Sequence, residues 1–253
     1  MQSDRIVELN IDNLVIEAVI RKPARVCLKP AVVIAMAGAA GIGVPCLVSQ
    51  IFLAAGHYVA AFDMPFHGAR GGQMPGLEAM ARAVSAGTDV YREIRETGRA
   101  LIDTIVEDEL VEDGAIVLHG NSRGGHAALH IMAGDERVLA TAISAPVTHL
   151  PAVEEFSELA ESVIIQGANA NALIPSLADR PVFIAIGNTD PRIGEDRCLD
   201  FHARLAAASS HTPPFLFCAP GNSHGDDGRF PADTGYQAAA GWLLQLVAQK
   251  VKG

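Results

Sequence analysis

The pentapeptide Gly120-Asn121-Ser122-Arg123-Gly124 sets a serine between two glycines, and a third glycine, Gly125, follows directly. Upstream runs Ala115-Ile116-Val117-Leu118-His119, a short apolar and partly β-branched stretch that reads as a buried strand. Downstream, Gly125-His126-Ala127-Ala128-Leu129-His130-Ile131-Met132-Ala133 reads as a buried helix. A serine on such a strand-to-helix turn is held in a strained backbone conformation that lifts its hydroxyl to the open edge of a sheet. The residues two positions to either side must be small, because strand and helix nearly collide there. The chemistry that suits this geometry is nucleophilic attack on a carbonyl.

Serine at its free pKa is a poor nucleophile. It needs a base within hydrogen-bond reach and a third group to orient that base. In an open parallel sheet both should lie just beyond the carboxyl ends of strands. Asp190 closes the run Val182-Phe183-Ile184-Ala185-Ile186-Gly187-Asn188-Thr189-Asp190, and His224 follows Phe215-Leu216-Phe217-Cys218-Ala219-Pro220-Gly221-Asn222-Ser223. Glu195 and Asp196 are alternative carboxylates nearby in sequence. A rival pentapeptide, Gly221-Asn222-Ser223-His224-Gly225, also fits G-x-S-x-G after a strand. Its sequel, Asp226-Asp227-Gly228-Arg229-Phe230-Pro231, does not read as a helix start, and no histidine follows it to act as base. Ser122 is the expected nucleophile, Asp190 the acid and His224 the base.

The elements that must position these residues are readable from periodicity and turn residues. Residues Arg5 to Asn10 and Leu14 to Ile20 read as a hairpin around Ile11-Asp12-Asn13. Then come a strand at 31–37, a helix at about 45–56, a strand at 58–63, a loop to about 77 and one long helix to about 110. In that helix Val90, Ile94, Leu101 and Ile105 keep helical spacing, while Arg92, Glu93, Arg95, Glu96 and Arg99 form a solvated face. After the serine turn follow a strand at 140–145, an irregular, partly helical segment at 148–179, a strand at 181–187, a helix at 195–208, a strand at 214–218 and a helix at 233–250. This order implies an α/β protein: a mostly parallel eight-stranded sheet with helices on both faces, formed by residues 1–253 as one domain. The segment 148–179 allows a small cap at most, with Val153, Phe156, Leu159 and Val163 spaced to form one helix over the pocket.

Composition narrows the function classes. Hydrophobic residues make up 49% and charged residues 19% of the 253 residues, as in compact globular proteins. A net charge of −10 argues against nucleic-acid or anionic-membrane surfaces. No Asp, Glu, Lys or Arg occurs between Pro30 and Phe62, but Gly38, Gly41, Gly43, Pro45 and Gly56 punctuate the run into strand, loop, helix and strand rather than a membrane span. Cys27, Cys46, Cys198 and Cys218 lack C-x-x-C spacing and read as free thiols of a reducing compartment; with no apolar leader after Met1, a cytoplasmic protein is expected. No H-E-x-x-H motif occurs, so neither metal nor cofactor is expected. His119, His126 and His130 read as core or surface histidines rather than ligands.

Together the leading hairpin, Gly120-Asn121-Ser122-Arg123-Gly124-Gly125, the post-strand Asp190 and the late His224 make the chain resemble α/β-hydrolase-fold proteins over nearly its whole length. Asp63-Met64-Pro65-Phe66-His67-Gly68 resembles the aspartate-to-His-Gly loop often found after the fourth strand of that superfamily. The Ser-Arg-Gly-Gly form and short cap are similar to the dienelactone-hydrolase and prolyl-oligopeptidase-like branch. One departure is Ala37-Gly38, followed by Ala39-Ala40-Gly41, where His-Gly is usual. The resemblance implies a serine hydrolase that acts on a small ester, thioester, lactone or amide through an acyl-enzyme. The backbone N–H groups of Arg123 and Ala39 would form its oxyanion hole. Ala40, His67, His149 and Arg192 are candidates to line the pocket, with His67 read mainly as a loop anchor. Arg123 and Arg192 could engage a substrate carboxylate or be paired within the fold. The partner expected is a small-molecule acyl substrate, with homo-oligomerisation open. Alternatives are a non-hydrolytic enzyme on the same scaffold (an acyltransferase, perhydrolase or lyase) or a non-catalytic binding protein.

Overall fold

The computed structural model describes residues 3–111, 115–219, 224 and 232–250. The chain opens with β1 (Ser3–Ile11) and β2 (Leu14–Lys22), paired antiparallel with Ile11 opposite Leu14. The hairpin turn is therefore the two residues Asp12-Asn13, one shorter than the sequence suggests. Asp12 adopts φ 50°, the left-handed backbone that two-residue turns require. Val7, Leu9 and Ile11 on one strand, and Ile16, Ala18 and Ile20 on the other, point into one core, while most of their neighbours face solvent and Val19 packs partly against the core on the other face.

The charge-free run folds as β3 (Val32–Met36), a single turn α1 (Ala40–Gly43), α2 (Leu47–Ala54) and β4 (Tyr58–Phe62). Next come α3 (Gly76–Ser85), α4 (Val90–Glu107), β5 (Ile116–Asn121), α5 (Arg123–Gly134) and β6 (Val138–Ser144). Two 3-10 turns at Leu150–Ala152 and Glu154–Leu159 lead to α6 (Val163–Ala168) and α7 (Ala170–Leu177). The chain ends through β7 (Val182–Gly187), α8 (Glu195–Ala208), β8 (Phe215–Ala219) and α9 (Ala232–Lys250). The eight strands form one sheet in the order β1-β2-β4-β3-β5-β6-β7-β8; β2 runs antiparallel to β1 and β4, and every later pairing is parallel. Every residue of β3 and β7 is buried, because helices cover both faces. One core joins the sheet to α4, α5, α7 and α8, and the other joins it to α2 and α9. No described helix is long and apolar enough to cross a membrane.

The long helix expected to reach about residue 110 is two helices. Gly87 takes φ 89° after the end of α3, and Asp89 begins α4 by accepting hydrogen bonds from the N–H groups of Tyr91 (3.1 Å) and Arg92 (2.9 Å). A left-handed glycine followed by a capping aspartate ends one helix and starts the next. The core spacing of Val90, Ile94, Leu101 and Ile105 is as expected, all four fully buried on α4. Its charged face is partly engaged: Glu93 pairs with Arg70, and Arg95 reaches His130.

His126 and His130 lie one turn apart on α5 and are buried. His126 Nδ1 donates to the Val147 carbonyl at 2.6 Å, and His130 Nε2 donates to the Ala168 carbonyl at 2.9 Å. His130 Nδ1 then accepts from Arg95 at 3.1 Å, and Tyr91 stacks on its ring at 5.0 Å. Neutral tautomers satisfy this chain, which ties α4, α5 and the segment after β6 together. Burial holds His126 and His119 at about 4 and pushes His130 well below the ordinary histidine value.

Two outcomes follow from these features. Gly87→Ala should destabilise the protein by about 1 kcal/mol, because alanine is strained at positive φ; an unbroken helix would instead gain about as much. The sign of the shift in urea midpoint decides between them. Second, below pH 6.5 the unfolded chain protonates histidines that the fold keeps neutral, so stability is fully present above pH 6.5 and is lost as pH falls toward 4. Each such histidine should remove up to about 3 kcal/mol. Urea unfolding between pH 7 and 4 should show an uptake of roughly two to three protons, and a pH-independent midpoint would contradict it.

Candidate functional site

Ser122 sits between β5 and α5 with φ 53° and ψ −121°, a strained conformation for a residue with a side chain. Its neighbours explain why it stays there. A Cβ on Gly120 would lie 2.6 Å from the Gly125 nitrogen, and one on Gly124 would overlap the carbonyl of Met36 on β3. Gly125 is nearly as tight, since a Cβ there would come within 3.1 Å of Pro146 Cβ. The Ser122 N–H donates to the Ser144 carbonyl at 2.8 Å, and its own carbonyl accepts from His126 and Val147 at 3.2 and 3.3 Å. Strand, helix and the segment after β6 thus all grip the same residue.

The two groups expected to act with Ser122 are brought to it. His224 Nε2 lies 2.8 Å from Ser122 Oγ, and His224 Nδ1 lies 2.9 Å from Asp190 Oδ2. Asp190 is fully buried beyond the end of β7. Its other oxygen accepts from the N–H groups of Arg192 (3.0 Å) and Ile193 (3.3 Å), while its backbone carbonyl accepts from Gly194 (3.1 Å). The carboxylate is therefore fixed in orientation, with one oxygen left for the histidine. Glu195 and Asp196 start α8 and make no hydrogen bond to His224. The rival pentapeptide, apart from His224, and the stretch Asp226 to Pro231 lie outside the described residues.

The loop after β3 faces this trio. The N–H groups of Ala39 and Arg123 have no acceptor among the described residues. That of Ala40 is occupied: it donates to Asp63 Oδ1 at 2.7 Å, which removes Ala40 as a free donor. Asp63 Oδ2 accepts from Ala69 at 2.6 Å, and Met64 N–H donates to the Gly38 carbonyl at 2.8 Å. Asp63 thus staples the loops after β3 and β4 together, and Gly68 (φ 56°) curls against its carboxylate, where no Cβ fits. This anchoring role was visible only as the Asp-to-His-Gly spacing.

Beside Arg123, the residue after the serine, lies a narrow apolar slot with room for little more than a water molecule, lined mainly by Met64, Leu77, Met80, Val153, Phe156 and Arg123. Val153, Phe156 and Arg123 carry a signal in the sequence, whereas the two methionines and Leu77, which come from the loop after β4 and from α3, carry none. The cap is not the single helix expected from Val153, Phe156, Leu159 and Val163. Val153 and Phe156 are buried in the 3-10 segment, whereas Val163 begins α6 and is 83% exposed. The periodicity resets because the chain turns at Ala160–Ser162 before the next helix starts.

The remaining candidates are dispersed. His67 is a loop anchor: its Nδ1 donates to the Pro65 carbonyl at 2.8 Å, and its ring fills the space above Gly38 and Gly76. Burial lowers its pKa. His149 is partly buried, with its pKa lowered by desolvation and by Arg197, and does not line the slot. Arg192 is committed to Glu155 through two hydrogen bonds of 2.8 and 3.1 Å. His119 is buried edge-to-face against Tyr236.

No family model and no curated protein sequence matches the chain. Solved structures do. An acylaminoacyl peptidase from Pyrococcus horikoshii superposes with a TM-score of 0.72 at 13% identity, over 96% of this chain and 40% of that one. A cold-adapted esterase from an Arctic intertidal metagenomic library gives 0.70 at 17% identity, over 96% of this chain and 93% of the esterase. Est1E from Butyrivibrio proteoclasticus gives 0.68 at 14%, over 96% and 99%. The chain spans about 40% of the peptidase's length and nearly all of the other two. Sheet order, the strained strand-to-helix turn at Ser122 and the structural neighbours together identify the fold of this chain as that of the α/β-hydrolases.

Proposed function

We propose that this chain is a serine hydrolase of small carboxylic esters, thioesters, lactones or amides. The observation that carries the reading is the relay from Ser122 Oγ to His224 Nε2 (2.8 Å) and from His224 Nδ1 to Asp190 Oδ2 (2.9 Å). Ser122 attacks the carbonyl carbon while His224 takes its proton, with Asp190 holding Nδ1–H and steadying the imidazolium. The N–H groups of Arg123 and Ala39 receive the oxyanion, a pair of donors worth about 3–4 kcal/mol each in comparable sites. Collapse of the tetrahedral species expels the leaving group, protonated by His224, and leaves an acyl-Ser122 ester. Water, deprotonated by His224, then releases the acid and restores the hydroxyl.

Two further features favour small substrates. The slot beside Arg123 is narrow, and the esterase neighbour is matched over nearly its full length while the peptidase carries much additional chain. The four cysteines are free thiols, which fits the proposed cytoplasmic setting.

A fluorophosphonate probe should label Ser122 with loss of fluoride, and peptide mapping should locate the adduct there. Ser122→Ala should abolish labelling, and Asp190→Asn should lower kcat by about 10³- to 10⁴-fold with the fold intact. An unlabelled folded wild-type protein, or equal labelling of Ser122→Ala, would overturn the reading.

A further inference from the structure

Arg123 follows the proposed nucleophile, and its side chain is not used by the relay. The guanidinium lies over Gly38, where a Cβ would come 3.0 Å from Arg123 Nε, beside the loop that carries Ala39. It is half-buried, and desolvation weighs against its charge. Among the described residues it has neither an ion pair nor a hydrogen-bond acceptor. The nearby charges do not supply one: Glu155 acts on Arg123 electrostatically, but both its oxygens are held by Arg192. The other slot-lining residues that could carry charge are His126 and Tyr91. Burial keeps both neutral at physiological pH, His126 at about 4 and Tyr91 far above its usual range. Among the described residues Arg123 is thus the one charged group lining the slot.

A partly desolvated cation that no acceptor among the described residues meets by a hydrogen bond is costly unless something completes it. We infer that a carboxylate on the substrate completes it: the chain takes acyl donors whose acyl arm carries a carboxylate, such as half-esters of short dicarboxylic acids, with Arg123 as the specificity-determining residue. The arm is assigned by the proposed chemistry. His224 protonates the leaving group, so that group lies on the histidine side. The acyl arm is then left to lie on the side that Arg123 borders, next to the loop after β3. A planar guanidinium can grip the carboxylate through two parallel N–H donors.

This inference rests on the proposed hydrolase reading, and the two can fail separately. Phenyl half-esters of succinic, glutaric and adipic acids are each compared with the analogue whose acyl arm ends in a neutral carboxamide. In the wild type, kcat/KM should favour the carboxylate of at least one length by about 10- to 100-fold. In Arg123→Met that ratio should collapse to near one, and Arg123→Lys should retain part of it; the ratio cancels any loss common to both substrates. A wild-type ratio at or below one, or a ratio unchanged in Arg123→Met, overturns the inference while leaving the hydrolase reading intact. If neither ester class is turned over, the hydrolase reading fails and binding decides. Calorimetric titration of the monomethyl esters of the same acids into Ser122→Ala protein should then show binding that the Ser122→Ala/Arg123→Met variant lacks. No binding at any length, or equal binding to both, overturns it.

Discussion

The carbonyl oxygen of Met36, at the end of β3, lies where a Cβ on Gly124 would stand, and the geometry of the site depends on that contact. Beta5 is paired to β3 with Gly120 opposite Met36, so α5 must start directly above the neighbouring strand. Glycine at 120 and 124 lets the helix descend that far. The same descent forces Ser122 into positive φ, a conformation that costs about 1–3 kcal/mol and survives only where the surroundings over-determine it. Here they do: its N–H is fixed to Ser144, and its carbonyl to His126 and Val147. The strain is held by ordinary backbone hydrogen bonds from three elements.

Around this point, loops at the carboxyl ends of the parallel strands are held by a repeated device. A carboxylate near the start of each loop accepts N–H groups from further along or from the adjoining loop. Asp63 binds the N–H groups of Ala40 and Ala69; Asp190 binds those of Arg192 and Ile193. The segment after β6 uses a histidine instead, with His126 donating to Val147. Each device meets the hydrogen-bonding need of a loop that would otherwise expose buried backbone groups, and each leaves its loop at a fixed height above the sheet. Asp190 shows how local structure becomes site geometry: one oxygen makes the turn, and the other meets His224.

Much of this was legible in sequence because it depends on short-range constraints. The glycines around Ser122, the apolar strands and the turn after β7 each declare themselves within a few residues. What stayed hidden depends on tertiary packing or on competing local signals. The Gly87-Thr88-Asp89 break was written in the sequence but masked by apolar residues that keep helical phase on both sides. The cap misled through periodicity: Val153, Phe156, Leu159 and Val163 fit a helix, yet the turn at Ala160–Ser162 places only the first part against the slot. Met64, Leu77 and Met80 could not be recognised as lining residues, since an apolar side chain carries no mark of which cavity it will face. Whether Arg123 or Arg192 would be paired was likewise undecidable before Glu155 was located.

The charge distribution constrains how such a site can select its ligand. The chain carries a net charge of −10, so its overall field does not draw in anions. At physiological ionic strength that field is screened beyond about 8 Å, whereas a half-buried guanidinium in an apolar slot acts over contact distance, where screening is weak. Selection of an anionic group by Arg123 would then be expressed after encounter, in residence time and orientation of the bound acyl arm, rather than in the rate of approach. The neutral His126 and Tyr91, which also line the slot, add no anion there to compete for its partner. A lysine would supply the same charge but not the planar pair of donors, so any discrimination by shape as well as charge depends on arginine.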